Sequence, residues 1–148
     1  MSEWMSVKLK LKCSLAVLRR ALLNIMPQWE KHLAISETGG LTVYDMHGHP
    51  EGGFHIKIPK GTATGLNWCD LGFKLGADGV WTVLIDPGGV PRNLADIDKA
   101  TLDEVGKMRA RARAAMDGLS IVTDKAAGQG TYIIEMDVPV KEKYKVGV

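Results

Sequence analysis

The chain has 148 residues, 45% of them hydrophobic and 24% charged, with a net charge of +2. That length can bury a core without disulfide or metal staples, and the balance excludes a disordered or membrane-embedded chain. The charge is too small to imply a polyanionic partner by itself.

The first element is "SVKLKLK" (6–12), where Val7, Leu9 and Leu11 alternate with Lys8, Lys10 and Lys12. The period of two predicts a strand with one wet face. The opening "MSEWMSVKLK" lacks an apolar signal core and no apolar run reaches membrane-spanning length, so the expectation is a cytoplasmic protein. Cys13 and Cys69 match no ligand or redox spacing and are expected as buried thiols. Ser14 can cap a helix in which Leu15, Leu18, Leu22 and Ile25 recur at helical spacing until Pro27 ends it. A strand around His32 to Ser36 is followed by a Gly39–Gly40 turn and the strand "LTVYDM". In "GFHIKIP", Phe54, Ile56 and Ile58 alternate with His55 and Lys57, which puts His55 on the wet face with Lys57.

"WCDLGFKLGADGVWTVLID" reads as strand, turn, strand. Cys69, Leu71, Phe73 and Leu75 point one way; Trp68, Asp70, Gly72 and Lys74 point the other. Asp78–Gly79 supplies the left-handed conformation that a tight hairpin needs. Val80 to Ile85 is apolar on nearly both faces, which predicts a central strand. "PGGVPRN" is a loop with a type II turn at Pro87–Gly88; it lacks the Gly-Lys-Ser/Thr ending of a phosphate loop, and Arg92 is expected in solvent. Thr101 and Glu104 form a capping box for a second helix with the stripe Val105, Met108, Ala112, Ala115, Met116 and Leu119, closed by Gly118. Strands around 119–123 and 131–138 flank "AAGQG", and 139–148 is a charged tail. The order predicts one α+β domain over 1–138, a two-layer sandwich of a mostly antiparallel sheet with two helices packed on one face.

Three of the four histidines lie in "YDMHGHPEGGFHIKIP". Asp45, His47, His49 and His55 could supply metal ligands, since two histidines at i and i+2 on a strand share a face. Gly48, Pro50, Gly52 and Gly53 make the segment a turn, however, and the expectation is a surface hairpin without metal. The run "KMRARARAAM" carries Lys107, Arg109, Arg111 and Arg113, but helix geometry divides them between two flanks, against a phosphate track. No spacing supports a nucleophile with its base, so no catalytic residue and no cofactor is expected.

"CDLGFKLGADGVWTVLID" resembles the "YDIGF-x-x-x-x-DG-x-Y-x-L-x-x-D" hairpin of the domain-of-unknown-function family twelve-fifty-seven, the Ycf thirty-five-like proteins, with Asp70, Gly72, Phe73, Asp78, Gly79, Trp81 and Asp86 on matching positions. The alternating first strand, the "LAVLRRAL" helix and the closing "GLSIVTD…GTYIIEM" are similar too; the histidine segment and the connection "PGGVPRNLADIDKATLDEV" depart from the pattern. The resemblance implies a small α+β protein of unknown biochemistry, acting as cofactor or adaptor for a MoxR-like AAA+ ATPase encoded nearby, in phage or bacteria. It implies no catalytic residue. The expectation is therefore a non-enzymatic interaction protein whose partner is an AAA+ ATPase or a second copy, with Trp68, Asp70, Lys74, Lys8 and Lys10 on one docking face; the competing expectation for Trp68 is cover by a loop of its own chain. The alternative is a small metal- or nucleic-acid-associated protein using the histidine segment 45–55 or the basic helix 107–113.

Overall fold

The computed structural model describes residues 5–86, 88–116, 120–128 and 131–137, with side chains for 6–86 and 88–116. The fold is α+β, with two α-helices and a mostly antiparallel main sheet. Contacts gather the chain into two compact units, Met1–Thr101 and Leu102–Val148, which divide within the second helix.

In the first unit, β1 (Met5–Lys8) precedes α1 (Leu15–Ile25), followed by β2 (Ala34–Ile35), β3 (Leu41–Tyr44), β4 (Pro50–Phe54), β5 (Ile56–Ile58), β6 (Leu71–Leu75) and β7 (Trp81–Ile85). Five strands form one sheet in the order β1-β7-β6-β5-β2, and β3 and β4 form a hairpin of their own. As its apolar run predicts, β7 has a neighbour on each side, with Val7 opposite Val83 and Phe73 opposite Val83. Past β1, Lys10 takes a left-handed φ of 54°. The Leu9 N–H there donates to the Trp81 carbonyl, and the Trp81 N–H to the Leu11 carbonyl. This bulge keeps both Leu9 and Leu11 buried while Lys8, Lys10 and Lys12 stay exposed.

Helix α1 begins where the sequence places it. The Val17 N–H donates to the Ser14 hydroxyl at 3.2 Å, satisfying one of the orphan donors of the first turn. Leu18, Ala21, Leu22 and Leu23 are buried. Pro27 ends the helix and opens a 3-10 turn, Pro27–Lys31, that buries Trp29. The Trp29 indole N–H donates to the Thr64 carbonyl at 2.7 Å, so this large ring is buried without losing its hydrogen bond.

One sheet face carries Ile56, Phe73 and Val83 in register, with Ile58 opposite Leu71. The other carries Lys57 opposite Gly72 opposite Leu84. Alternation predicts that this second face is wet, but the β3–β4 hairpin covers its middle: Val43, Phe54 and Leu84 form a buried cluster with Leu41 packed against it. Gly72 makes this layering possible. A Cβ there would lie 2.6 Å from Phe54 Cδ1 and 2.9 Å from Val43 Cγ1. Between β6 and β7, Gly79 alone turns left-handed, at φ 80°. Its N–H donates to the Gly76 carbonyl, which makes a type I turn closed by a glycine bulge. Asp78 caps the turn by accepting the Val80 N–H at 3.0 Å.

Helix α2 runs from Ile97 to Met116, one turn earlier than the capping box predicts. Thr101 lies inside it and donates its hydroxyl to the Ile97 carbonyl at 2.6 Å. A threonine three residues before a glutamate serves a helix interior as well as its start, and Asp98 supplies the acidic first turn. Of the predicted stripe Val105 is buried, but Met108 is half-buried and Ala112, Ala115 and Met116 are exposed; Leu102 and Ala114 are the further buried positions. The burial follows the early start, which puts Ile97 and Thr101 in line with Val105 at about 100° per residue. In the second unit β8 (Ser120–Gly128) pairs antiparallel with β9 (Thr131–Asp137), so the first of these strands runs through most of "AAGQG". Pro87, the expected cap Gly118 and the tail 139–148 lie outside the described residues.

Gly72→Ala is expected to destabilise the protein by about 1–3 kcal/mol, the usual scale for overpacking. Chemical denaturation should show part of that loss recovered in Gly72→Ala/Phe54→Leu, because the two nearest atoms in conflict belong to the Phe54 ring, with Val43 Cγ1 the third.

Candidate functional site

Three buried aspartates meet at the end of the sheet where β3 and β7 finish and β6 begins. Asp45, Asp70 and Asp86 are 3%, 4% and 0% exposed. A buried carboxylate persists only if donors converge on it, and here most of them are backbone N–H groups. Asp70 accepts the N–H of Tyr44 at 2.9 Å and of Lys60 at 2.8 Å, and Lys57 Nζ lies 3.6 Å from it. Asp86 accepts the N–H of Met46 and of Gly88, both at 3.1 Å. Asp45 takes the N–H of His47 at 2.9 Å and of His49 at 2.8 Å on one oxygen, and His49 Nδ1 at 3.0 Å on the other. Burial works against ionisation of Asp45, but the two backbone donors and the His49 ring outweigh it and hold the carboxyl below its ordinary range.

The histidine segment is therefore a tied turn. Asp45 folds it, and Asp70 and Asp86 hold the residues on either side of Asp45 to the sheet. The His47 and His49 rings are exposed, with centroids 6.1 Å apart. His55 is elsewhere: its Nδ1 accepts the Leu75 N–H at 3.1 Å and its ring meets Trp81 edge-on at 5.9 Å. It is thus half-buried at the end of β6 rather than solvated beside Lys57. The chain kinks between β4 and β5, which lets the ring fold over the neighbouring strand end. Among the described residues no group of three or more His, Cys, Asp and Glu side chains could hold a metal ion.

Cys69 lies beside the aspartates, and a Cβ on Gly89 would sit 2.8 Å from its sulfur. Burial, then the negative charges of Asp86, Asp70 and Asp45, push its thiol up to about 12. Thiolates are the reactive form, so Cys69 is an inert packing residue. Cys13 is half-buried, short of the burial expected for both.

The structure redistributes the predicted docking residues. Trp68 is 63% exposed, uncovered by any loop among the described residues. Asp70 has the predicted parity but lies under the β3–β4 hairpin, so it ties backbone together rather than meeting solvent. Lys74 is half-buried with its ammonium 4.8 Å from the Phe54 ring centroid. Lys8 is exposed and pairs with Asp78 at 3.0 Å, and Lys10 is exposed on the bulge. Lys8 and Lys74 both oppose Thr82, at the far end of the strands from Trp68. Trp68 precedes β6 and Lys74 lies near its other end, with five residues between them and a reach of at most about 20 Å. They do not form one patch.

Two further exposed apolar side chains lie on backbone tied to this end of the sheet. Tyr44 and Met46 are 41% and 36% exposed. Tyr44 exchanges two hydrogen bonds with Asp70, through the Asp70 N–H and its side chain. Parity in "LTVYDM" implied that Tyr44 points outward once Val43 points in; the tie to Asp70 carried no local signal. In the basic run, Lys107 is half-buried and Arg109, Arg111 and Arg113 are exposed. Comparison of the chain with protein-family models, with curated proteins and with solved structures gives no match.

Two outcomes are expected here. Asp45→Asn should lower the denaturation midpoint at neutral pH. Because folding depresses the Asp45 pKa, its stabilisation is present above the ordinary value of 3.8 and is lost as pH falls through the folded value. The midpoints of parent and variant should therefore converge below about pH 3.8. In Cys13→Ala, native Cys69 should resist a thiol reagent at pH 8 and react fully on unfolding; rapid native labelling would contradict the burial described.

Proposed function

We propose that the protein is a non-enzymatic cytoplasmic interaction protein that docks a partner through Trp68, Tyr44 and Met46. The observation that carries this reading is the exposure of the Trp68 ring beside backbone anchored by buried carboxylates. Exposed aromatic and methionine side chains supply contact area, and they are enriched in interfaces. The polar groups nearby support the same reading, since Asp45, Asp70 and Asp86 are occupied with backbone donors. An AAA+ ATPase is the partner that the hairpin resemblance implies, and the protein would serve it as an adaptor. No helix among the described residues is long and apolar enough to cross a membrane.

Trp68→Ala tests the proposal. It should change unfolding free energy by no more than about 0.5 kcal/mol, as for a surface position, and should lose the partner captured by the tagged parent from its own host. A loss of about 3–5 kcal/mol, the scale of a buried aromatic, with capture unchanged would overturn it.

A further inference from the structure

The exposed apolar side chains of the described residues are unevenly placed. Within the first unit, Tyr44, Met46 and Trp68 belong to backbone joined by Asp70 and Asp86, whereas Ile35 lies on β2. Trp68 is two residues from Asp70, so their Cα atoms lie within about 7 Å. The patch has a sign. Segments 44–51, 57–60 and 68–70, with residue 86, carry Asp45, Glu51, Asp70 and Asp86 against Lys57 and Lys60. With the histidines neutral, four carboxylates against two ammonium groups leave about −2 here, in a chain whose total is +2. Backbone donors disperse the buried charges but do not cancel them.

We infer that the Trp68–Tyr44–Met46 surface binds a basic, arginine- or lysine-bearing segment of a protein partner. The chain already contains one example of the contact: the Lys57 ammonium lies 5.3 Å from the Tyr44 ring centroid and 3.6 Å from Asp70. An aromatic face and a carboxylate together hold that cation. Trp68 offers the better ring for the same contact and is 63% exposed. A guanidinium stacks on such a face and keeps its remaining donors for carboxylates and carbonyls. Besides burial, the largest cause, the charges of Asp86, Asp70 and Asp45 raise the Cys69 pKa while Lys60 lowers it, which agrees with a negative sign at this end of the sheet. An acidic segment or a nucleic-acid strand would meet its own sign and be repelled.

This inference rests on the docking surface proposed above, and its test separates the two. The full chain is titrated into a dye-labelled arginine–glycine repeat peptide, a glutamate–glycine repeat of equal length and a labelled oligothymidylate, read by fluorescence anisotropy. The arginine peptide should bind most tightly and weaken with salt. Trp68→Ala should weaken it roughly fivefold, the scale of one cation–π contact. Lys60→Glu should tighten it at least about twofold, because a cation is replaced by an anion beside the patch. Absence of arginine-peptide binding, tighter binding of either other probe, or indifference to both substitutions would overturn the inference. If Trp68→Ala still abolishes capture of the natural partner in that event, the docking surface stands and only its charge preference falls; if capture also persists, the surface itself is wrong.

Discussion

The Asp70 carboxylate decides how the small hairpin sits on the large sheet. A charge buried this far costs several kcal/mol unless donors replace its water. Tyr44 and Lys60 supply the N–H groups and Lys57 the countercharge. These donors come from three separate stretches of chain, the end of β3, β5, and the turn that follows β5, so satisfying one carboxylate brings all three to the start of β6. Asp86 repeats the arrangement from the end of β7 through Met46. A two-stranded hairpin is marginal in water by itself. Here it is held at its end by charge-assisted bonds and across its face by Phe54 and Val43 lying over Gly72. The two anchors need each other. Without the glycine the Phe54 ring and Val43 could not close on the sheet, and without the carboxylates the hairpin would be aligned by packing alone.

How much of this was legible follows the range of each interaction. Local rules held: Ser14 caps α1, Pro27 ends it, Gly79 turns the β6–β7 hairpin, and an apolar run marks β7 as flanked on both sides. Parity was right and its consequence was not. Asp70, Gly72 and Leu84 share a face as alternation says, yet that face is covered, because the sequence pattern of β6 cannot show that a separate hairpin lies over it. The same gap hid the site. Asp45 and Asp86 each precede turn residues, a signal for a carboxylate folding back on its own backbone. That signal says nothing of Asp86 reaching Met46, forty residues away in sequence. His55 was misplaced for the complementary reason: at a kink between strands, period two no longer tells which way a side chain points.

The seven hairpin positions on which the resemblance rests can be read residue by residue in the same terms. Asp70 and Asp86 gather backbone donors, Gly72 admits the Phe54 ring, and Phe73 fills the core. Asp78 and Gly79 make the turn, and the Trp81 indole N–H donates to the Cys13 carbonyl at 2.9 Å. All seven positions have a reason in the architecture. A motif of this kind specifies a fold and leaves chemistry open, since function resides in sites placed upon folds. Trp68, Tyr44 and Met46 fall outside it, as does the histidine segment.

The anchoring bears on how such a surface could work. Binding must meet the cost of ordering the side chains and loops that make contact, on the order of 0.5–1.5 kcal/mol for each flexible side chain immobilised. Tyr44 and Met46 have their backbone N–H groups held by carboxylates, and Trp68 stands two residues from the aspartate that holds Tyr44. Tryptophan and tyrosine also have only two side-chain torsions to fix. Little ordering remains for a partner to impose. The buried charges act in the same direction, because field lines from a carboxylate in a poorly polarisable interior are screened less than those from one in water. The same three carboxylates thus set the loop in place and give it a sign. On the proposed reading, architecture and recognition are coupled at this end of the sheet, whereas at the far end Lys8 and Asp78 merely neutralise one another across an exposed turn.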